Sequence, residues 1–353
     1  MVRVLALTRY ARKGASSRVR FLQYVPHLER LGDRVTVQSL LPAAYLDRLY
    51  AGGDRQLSVV AKACAERLAA LLHHRDADVI WLQREIFPYA PFFAESLLAS
   101  GRKLVIDFDD AHHLYYKAIK AGWAQSLYGD KIERLMRRAD TVTVGNRTLA
   151  DYAQAVGARN VQLIPSAVDT TRFTTAPAPE PFTVGWIGTP MTADEAMPLV
   201  QAPLTRFLTE TGARCVLVGV RPDQFPEIPA ERIPWSEDSE DALLTGMSVG
   251  LCPLADTEWN RGKSGYKIIQ YMSAGRPSLV SPIGIAADLI ADGLTGFHCR
   301  TPHDWYQGLM KLYRDADLRN GCGARAQDIA ATTYDTAIAA EQIHTIFAAV
   351  CRS

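Results

Sequence analysis

The sequence predicts an α/β protein of two doubly wound domains, and three observations carry that prediction. Short apolar segments alternate with amphipathic stretches in two separate series, the pattern of βαβ units around a mostly parallel sheet. A proline-rich run, TTAPAPEP at 174–181, divides the two series and disfavours both helix and sheet. The chain has 353 residues, 48% of them hydrophobic, which is enough for two cores and more than one α/β domain comfortably holds.

In chain order, the first series places strands at Val2–Leu7, Arg34–Gln38, Asp78–Leu82, Lys103–Asp107, Thr141–Val144 and Val161–Ile164, with helices in most intervals. Right-handed crossovers between such strands make a Rossmann-like domain. The hinge is expected in the spacer. The second series follows, with strands near Thr183–Ile187, Cys215–Val218, Val249–Cys252, Pro277–Val280 and Gly296–Cys299. A helical run from about Pro302 to Val350 closes the chain and is longer than one domain needs. The expected division is 1–173, a linker at 174–181, a second domain at 182–330, and a last helix within 331–353 that packs back on the first domain.

Two loops carry the chemistry of anion binding. In RGKSGYKIIQYMSAGRP, Arg261 to Pro277, Gly262 and Gly265 allow the backbone to turn close to a ligand, and Lys263 and Lys267 supply positive charge. Amides at the start of a helix from about Ser264, through Tyr266, point at any bound anion, so a nucleotide diphosphate suits the spot. A surface turn with solvated lysines is the plainer reading of the same residues. The second loop follows the first strand in TRYARKGASSRVRF, where Gly14 permits a turn, Ser16 and Ser17 suit helix capping, and Arg18 and Arg20 lie in the first helical turns.

Composition narrows the function classes. Net charge is +1 with acidic and basic residues well mixed, which lacks the footprint of a nucleic-acid binder. The six cysteines are scattered with no CxxC pair, so neither zinc nor a disulfide framework is indicated. No apolar stretch approaches the ~20 residues needed to span a bilayer, and the N-terminus begins at once with a strand, so a cytoplasmic location with at most peripheral membrane contact is expected.

The segment VIDFDDAHH delivers Asp109, Asp110, His112 and His113 to the carboxyl end of a strand, where doubly wound sheets bind ligands. Clustered carboxylates and imidazoles can position an acceptor hydroxyl and take up its proton. Helix capping by the aspartates is the alternative, and the residue spacing matches no standard metal site. Arg84 and Glu85 occupy the corresponding end of a neighbouring strand, either lining the same site or forming a surface ion pair.

Taken together, these residues resemble a GT-B glycosyltransferase of the retaining family 4 (glycosyl transferases group 1), over essentially the whole chain. The resemblance rests on the GASSRVR loop, on PSAVDTTRF from Pro165 to Phe173, on GWIGTP from Gly185, which includes Gly188, and on the late cradle with its YMSAGRP exit. It implies two Rossmann-like domains facing each other across a cleft, acceptor on the first and nucleotide-sugar donor on the second. It also implies metal-independent transfer with retention, and no cofactor beyond the donor. Donor-side residues by this resemblance are Gly14, Ser16, Arg18, Gly188 and the run Arg261, Gly262, Lys263, Ser264, Gly265, Tyr266, Lys267 with Gln270. Two glutamates eight positions apart, common in the family, correspond here to Gly262 and Gln270. An arginine and lysine usual after the GWIG-like strand are also missing from GTPMTADEAMP, so Lys263, Lys267 and Arg261 are expected to hold the diphosphate.

The function expected is therefore transfer of a hexose-type sugar from a UDP- or GDP-linked donor to a glycan, lipid-linked or natural-product acceptor. Lys263 joins the loop residues Asp109, Asp110, His112 and His113 as a catalytic candidate. Two alternatives share the architecture: a sugar-nucleotide epimerase and a two-lobed small-molecule binding protein.

Overall fold

The structure, a computed structural model, describes all residues except 51, 52, 55, 175, 176 and 353. Two compact units divide the chain: Met1–Ser166 with Thr336–Ser353, and Ala167–Asp335.

The first unit holds β1 (Arg3–Tyr10), β2 (Arg34–Leu41), β3 (Val79–Gln83), β4 (Lys103–Phe108), β5 (Thr141–Val144) and β6 (Val161–Leu163) in the order β2-β1-β3-β4-β5-β6. Every pairing is parallel; Leu5, for example, lies opposite Thr36 on one side and Ile80 on the other. The central strands read as continuous apolar runs because helices cover both faces, and Leu5, Ile80, Leu82 and Ile106 are fully buried. Trp81 anchors this core, with its ring 4.2 Å from Phe21 and 5.5 Å from Phe347 of the final helix.

The second unit holds β7 (Thr183–Ile187), β8 (Arg214–Val218), β9 (Glu231–Ile233), β10 (Val249–Cys252), β11 (Ser278–Val280) and β12 (Gly296–His298), again all parallel, in the order β12-β11-β10-β7-β8-β9. Trp186, Leu204, Phe207, Leu217 and Leu312 fill one face of this sheet. Ile187, Val218, Ile268, Tyr271 and Met272 fill the other. Strand order reverses between β1 and β3 in the first unit and between β7 and β10 in the second. Ligands of open α/β sheets bind at the carboxyl ends of the strands flanking such points.

Several elements differ from expectation. β9 has no counterpart among the expected strands, since its three residues lie between prolines and are only partly buried, which leaves no alternating signal. The helix after β1 is not continuous: Ala15–Ser17 passes into a π-helical turn, Arg18–Leu22, with the Gln23 amide donating to the Arg18 carbonyl at 3.0 Å, and Val25–Arg30 follows. The closing helical run is three helices, Pro302–Arg314, Ala316–Thr333 and Thr336–Arg352, and the last packs in the first unit.

The change of unit falls at Ser166/Ala167 and Asp335/Thr336, ahead of the proline-rich spacer. Val168 and Phe173 already belong to the second core, and the Val168 amide donates to the Tyr334 carbonyl at 2.9 Å. The described part of the spacer is tied down too: the Ala178 amide donates to Asn320 Oδ1 and Ser248 Oγ donates to the Pro179 carbonyl. Thr175 and Ala176 lie outside the described residues.

Candidate functional site

At the carboxyl edge of the first sheet, Arg84 organises the residues around it. It sits just past β3 at φ 69°, in a three-residue turn closed by the Glu85 amide donating to the Gln83 carbonyl at 2.8 Å. Its guanidinium donates to Asp109 Oδ1 at 2.9 Å and Ser16 Oγ at 3.2 Å, with Asp110 3.9 Å away. Burial opposes ionisation of Asp109, yet the Arg84 charge and the Ser16 hydroxyl hold its carboxyl below the usual range. Asp109, Asp110 and His112 each bring a potential ligand atom within 4.8 Å of the others. Three of the four sequence-predicted loop residues, Asp109, Asp110 and His112, thus lie together beside Arg84.

The other first-unit candidates are placed differently. His113 turns away from this group and stacks on Tyr152, ring centroids 3.8 Å apart, because it begins the helix His113–Lys117 that packs inward. Gly14 has an ordinary φ of −74°; its lack of a side chain matters because a Cβ there would run into Tyr10. Neither serine caps the helix. Ser17 instead accepts from the Tyr10 amide and donates to Gln83 Oε1, stitching β1 to β3. Arg18 is buried and donates to the Arg12 carbonyl at 3.5 Å. Arg20 is locked in a two-point pair with Asp107 at 2.6 and 3.0 Å.

Glu85 is neither a surface ion pair nor an open acceptor contact. It is buried and receives Lys131 Nζ at 2.6 Å, the Tyr116 hydroxyl at 2.5 Å and Arg9 at 3.3 Å. Lys131 also pairs with fully buried Glu95 at 2.6 Å. Burial pushes the Glu95 carboxyl up to about 7, against the pull of Lys131, which is shared between two carboxylates. Sequence reading misses Lys131, Glu95 and Tyr116, since no local pattern distinguishes a buried charge from a solvated one.

In the second unit the cradle forms beside β7 and β10. Gly265 is at φ 70°, the left-handed region, and ends the turn immediately before the helix Tyr266–Ser273, two residues later than expected. Gly262, by contrast, has φ −84° and needs no such freedom. Among the described residues, the amides of Ser264, Gly265 and Lys267 donate to no acceptor. Lys267 Nζ lies 4.0 Å from the centre of the Trp186 ring and forms no ion pair among the described residues. Burial pulls its ammonium down to about 8, and the charge of Lys263 adds to the effect while Cys252 opposes it. Lys263 lies 4.0 Å from Glu195. Gln270 is 4% exposed, and its side-chain amide makes no hydrogen bond among the described residues.

Two expectations here need correction or refinement. Arg261 is exposed and held by Asp256, with contacts at 2.7 and 3.0 Å, so it does not reach into the cradle. Tyr266 packs partly against the second core. Gly188 follows β7, its amide donating to the Val218 carbonyl at 3.0 Å, and a Cβ there would collide with Trp186, the ring beneath Lys267. The result is a helix start with two cations, three amides that donate to nothing among the described residues, and a buried amide side chain. Such a set can hold a polyanion carrying a hydroxyl-rich group.

No family model matches the sequence, and no curated protein matches it. Solved structures do resemble the whole chain. Anabaena HepE in complex with UDP is 14% identical over 99% of this chain and 100% of its own, with a TM-score of 0.70. HepE with UDP-glucose is 16% identical over the same shares, TM-score 0.70. Sucrose-phosphate synthase from Thermosynechococcus elongatus is 10% identical over 99% of each chain, TM-score 0.69. Identities this low establish architecture only, and the architecture is GT-B, two Rossmann-like domains in one chain.

Proposed function

We propose that this chain is a glycosyltransferase that moves a hexose-type sugar from a UDP- or GDP-linked donor to a glycan, lipid-linked or natural-product acceptor. The observation that carries the reading is Lys267, a largely buried cation with no carboxylate partner among the described residues, beside Lys263 and the three available amides. A charge kept that way in a protein costs stability unless an anion arrives to meet it. The diphosphate of a nucleotide sugar supplies that anion, and the Gln270 amide offers a donor and an acceptor to ribose hydroxyls. Of the two bases, uracil is favoured by the UDP and UDP-glucose held in the similar HepE structures.

In this reading Lys263, Lys267 and the helix-end amides neutralise the charge that develops on the leaving diphosphate as the glycosidic bond breaks. Retention and metal independence follow the family 4 resemblance, and undiminished turnover in EDTA is the expected result. On the first unit, Asp109, Asp110 and His112 orient the acceptor hydroxyl and receive its proton. Asp109, ionised and bound to Arg84, serves as the anchor, leaving His112 as the better proton acceptor.

Incubation with nucleotide sugars tests the reading. Release of free nucleotide diphosphate marks a transferase, altered sugar on intact nucleotide marks an epimerase, and binding without either marks a binding protein. Lys263→Ala should lower turnover by about 10²–10³, the usual cost of one preorganised donor; a wild-type rate would remove Lys263 from the chemistry. His112→Ala should depress transfer while leaving UDP affinity unchanged, since a group engaged only in the transition state does not touch donor binding. Normal transfer in both His112→Ala and Asp110→Ala would make this loop structural.

A further inference from the structure

The loop Arg84 to Tyr89 concentrates buried charge and strained backbone in six residues. Glu95 accepts from the amides of Ile86 at 3.0 Å and Phe87 at 3.2 Å. Lys131 donates to the Phe87 carbonyl at 2.8 Å, and Arg67 to the Ile86 carbonyl at 3.1 Å. The Tyr89 amide donates to the Tyr116 hydroxyl, which in turn donates to Glu85. At its two ends, Arg84 and Tyr89 adopt φ values of 69° and 60° without being glycine. Left-handed backbone at such residues persists only where the surroundings over-determine it, and it gathers at functional sites.

This tightly held loop ends in an exposed aromatic ring. Tyr89 is 64% exposed, while one side of it rests against Tyr116 at a centroid distance of 5.8 Å. A hydrophobic collapse would have buried such a ring, and a relaxed turn would have placed glycine or asparagine at that φ. We infer that Tyr89 is a stacking platform for a sugar ring of the acceptor, presented by a loop that Lys131 and its two carboxylates immobilise. The electron-rich face of tyrosine suits the polarised C–H face of a pyranose, and a ring with two rotatable bonds that is already held loses little entropy on contact. Arg84, at the other end of the same loop, touches Asp109, so the platform and the proposed hydroxyl-orienting group share one rigid support.

The inference rests on the glycosyltransferase reading, and its test keeps the two apart. Saturation-transfer NMR on the full chain with glucose and N-acetylglucosamine as probes should show transfer to the ring C–H protons. Tyr89→Phe should keep that signal. Tyr89→Ala should weaken sugar affinity about fivefold or more, the scale of one aromatic stack. Lys131→Met should lose the signal with Tyr89 still present. Tyr89→Gly should lose it too. Wild-type affinity in Tyr89→Ala, or no transfer to either sugar in the wild type, overturns the assignment. UDP and GDP titrated into the same samples report on the donor reading separately: binding of neither defeats that reading, whatever Tyr89 does.

Discussion

Under the proposed glycosyltransferase reading, Lys267 trades stability for binding. Its ammonium is pulled from the ordinary 10.5 to about 8 by burial. The folded-state pKa therefore lies below the unfolded one, so the charged form is a net cost in the fold. That cost is complete below about 8 and fades as pH climbs from there toward 10.5, where stability rises with pH because the unfolded chain binds the extra proton. Lys267→Met retains the stem against Trp186 and removes the charge. The variant should be more stable than the wild type at pH 7 by about 1 kcal/mol or more, since each tenfold weakening of proton binding on folding corresponds to ~1.4 kcal/mol, and should lose nucleotide affinity. Thermal melts with and without UDP check both halves; a less stable variant that still gains protection from UDP would show that Lys267 is packing alone.

At the scale of elements, the β3 loop and its buried ion network form one cooperative piece. Glu95 has a folded-state pKa of about 7, above its ordinary value of 4.5, because burial favours the neutral acid. A raised carboxyl contributes stability that is present below about 4.5 and lost as pH rises through about 7. Glu95→Gln keeps the shape and one acceptor oxygen for the Ile86 amide, gives up the second oxygen that accepts from the Phe87 amide and meets Lys131, and cannot titrate. Its unfolding free energy should therefore lack the decline of roughly 1 kcal/mol or more that the wild type shows between pH 5 and 8. Parallel pH profiles by denaturant unfolding would decide this, and identical profiles would mean that Lys131 keeps Glu95 ionised throughout. The cradle helix shows the opposite arrangement: the groups proposed to meet the diphosphate include backbone amides, which need no titration.

For the whole molecule, the return of the chain to the first unit is a structural commitment. The helix Thr336–Arg352 buries Ile343, Phe347 and Val350, its His344 pairs with Asp33 at 2.7 Å, and Phe347 packs on Trp81. Removing Phe347 alone deletes a large buried ring, a change that costs about 3–5 kcal/mol in typical cores. Deletion of 336–353 should therefore abolish or sharply lower the unfolding transition of the first unit. The second unit, Ala167–Asp335, keeps its sheet and the cradle intact, so UDP should still protect it in calorimetry. A single unchanged transition in the truncated chain would contradict the division into units. Among the described residues, no helix is long and apolar enough to cross a membrane.

Much of this is legible in the sequence because its causes are local. Continuous apolar runs spaced by amphipathic stretches specify parallel strands under helices, and eleven of the twelve strands are readable that way; β9 escapes because three half-exposed residues between prolines bury too little to leave a pattern. The cradle is legible for the same reason, since Gly265, Lys263 and Lys267 lie within five residues and their geometry follows from one turn and one helix start. Which charges remain available is decided only by the tertiary structure. Arg20 meets Asp107 across 87 positions and Glu85 meets Lys131 across 46, while Lys267 meets no carboxylate among the described residues. Parallel crossovers bring distant strand ends to one edge, and a side chain's electrostatic role depends on what arrives there with it, which neighbouring residues in the chain do not encode.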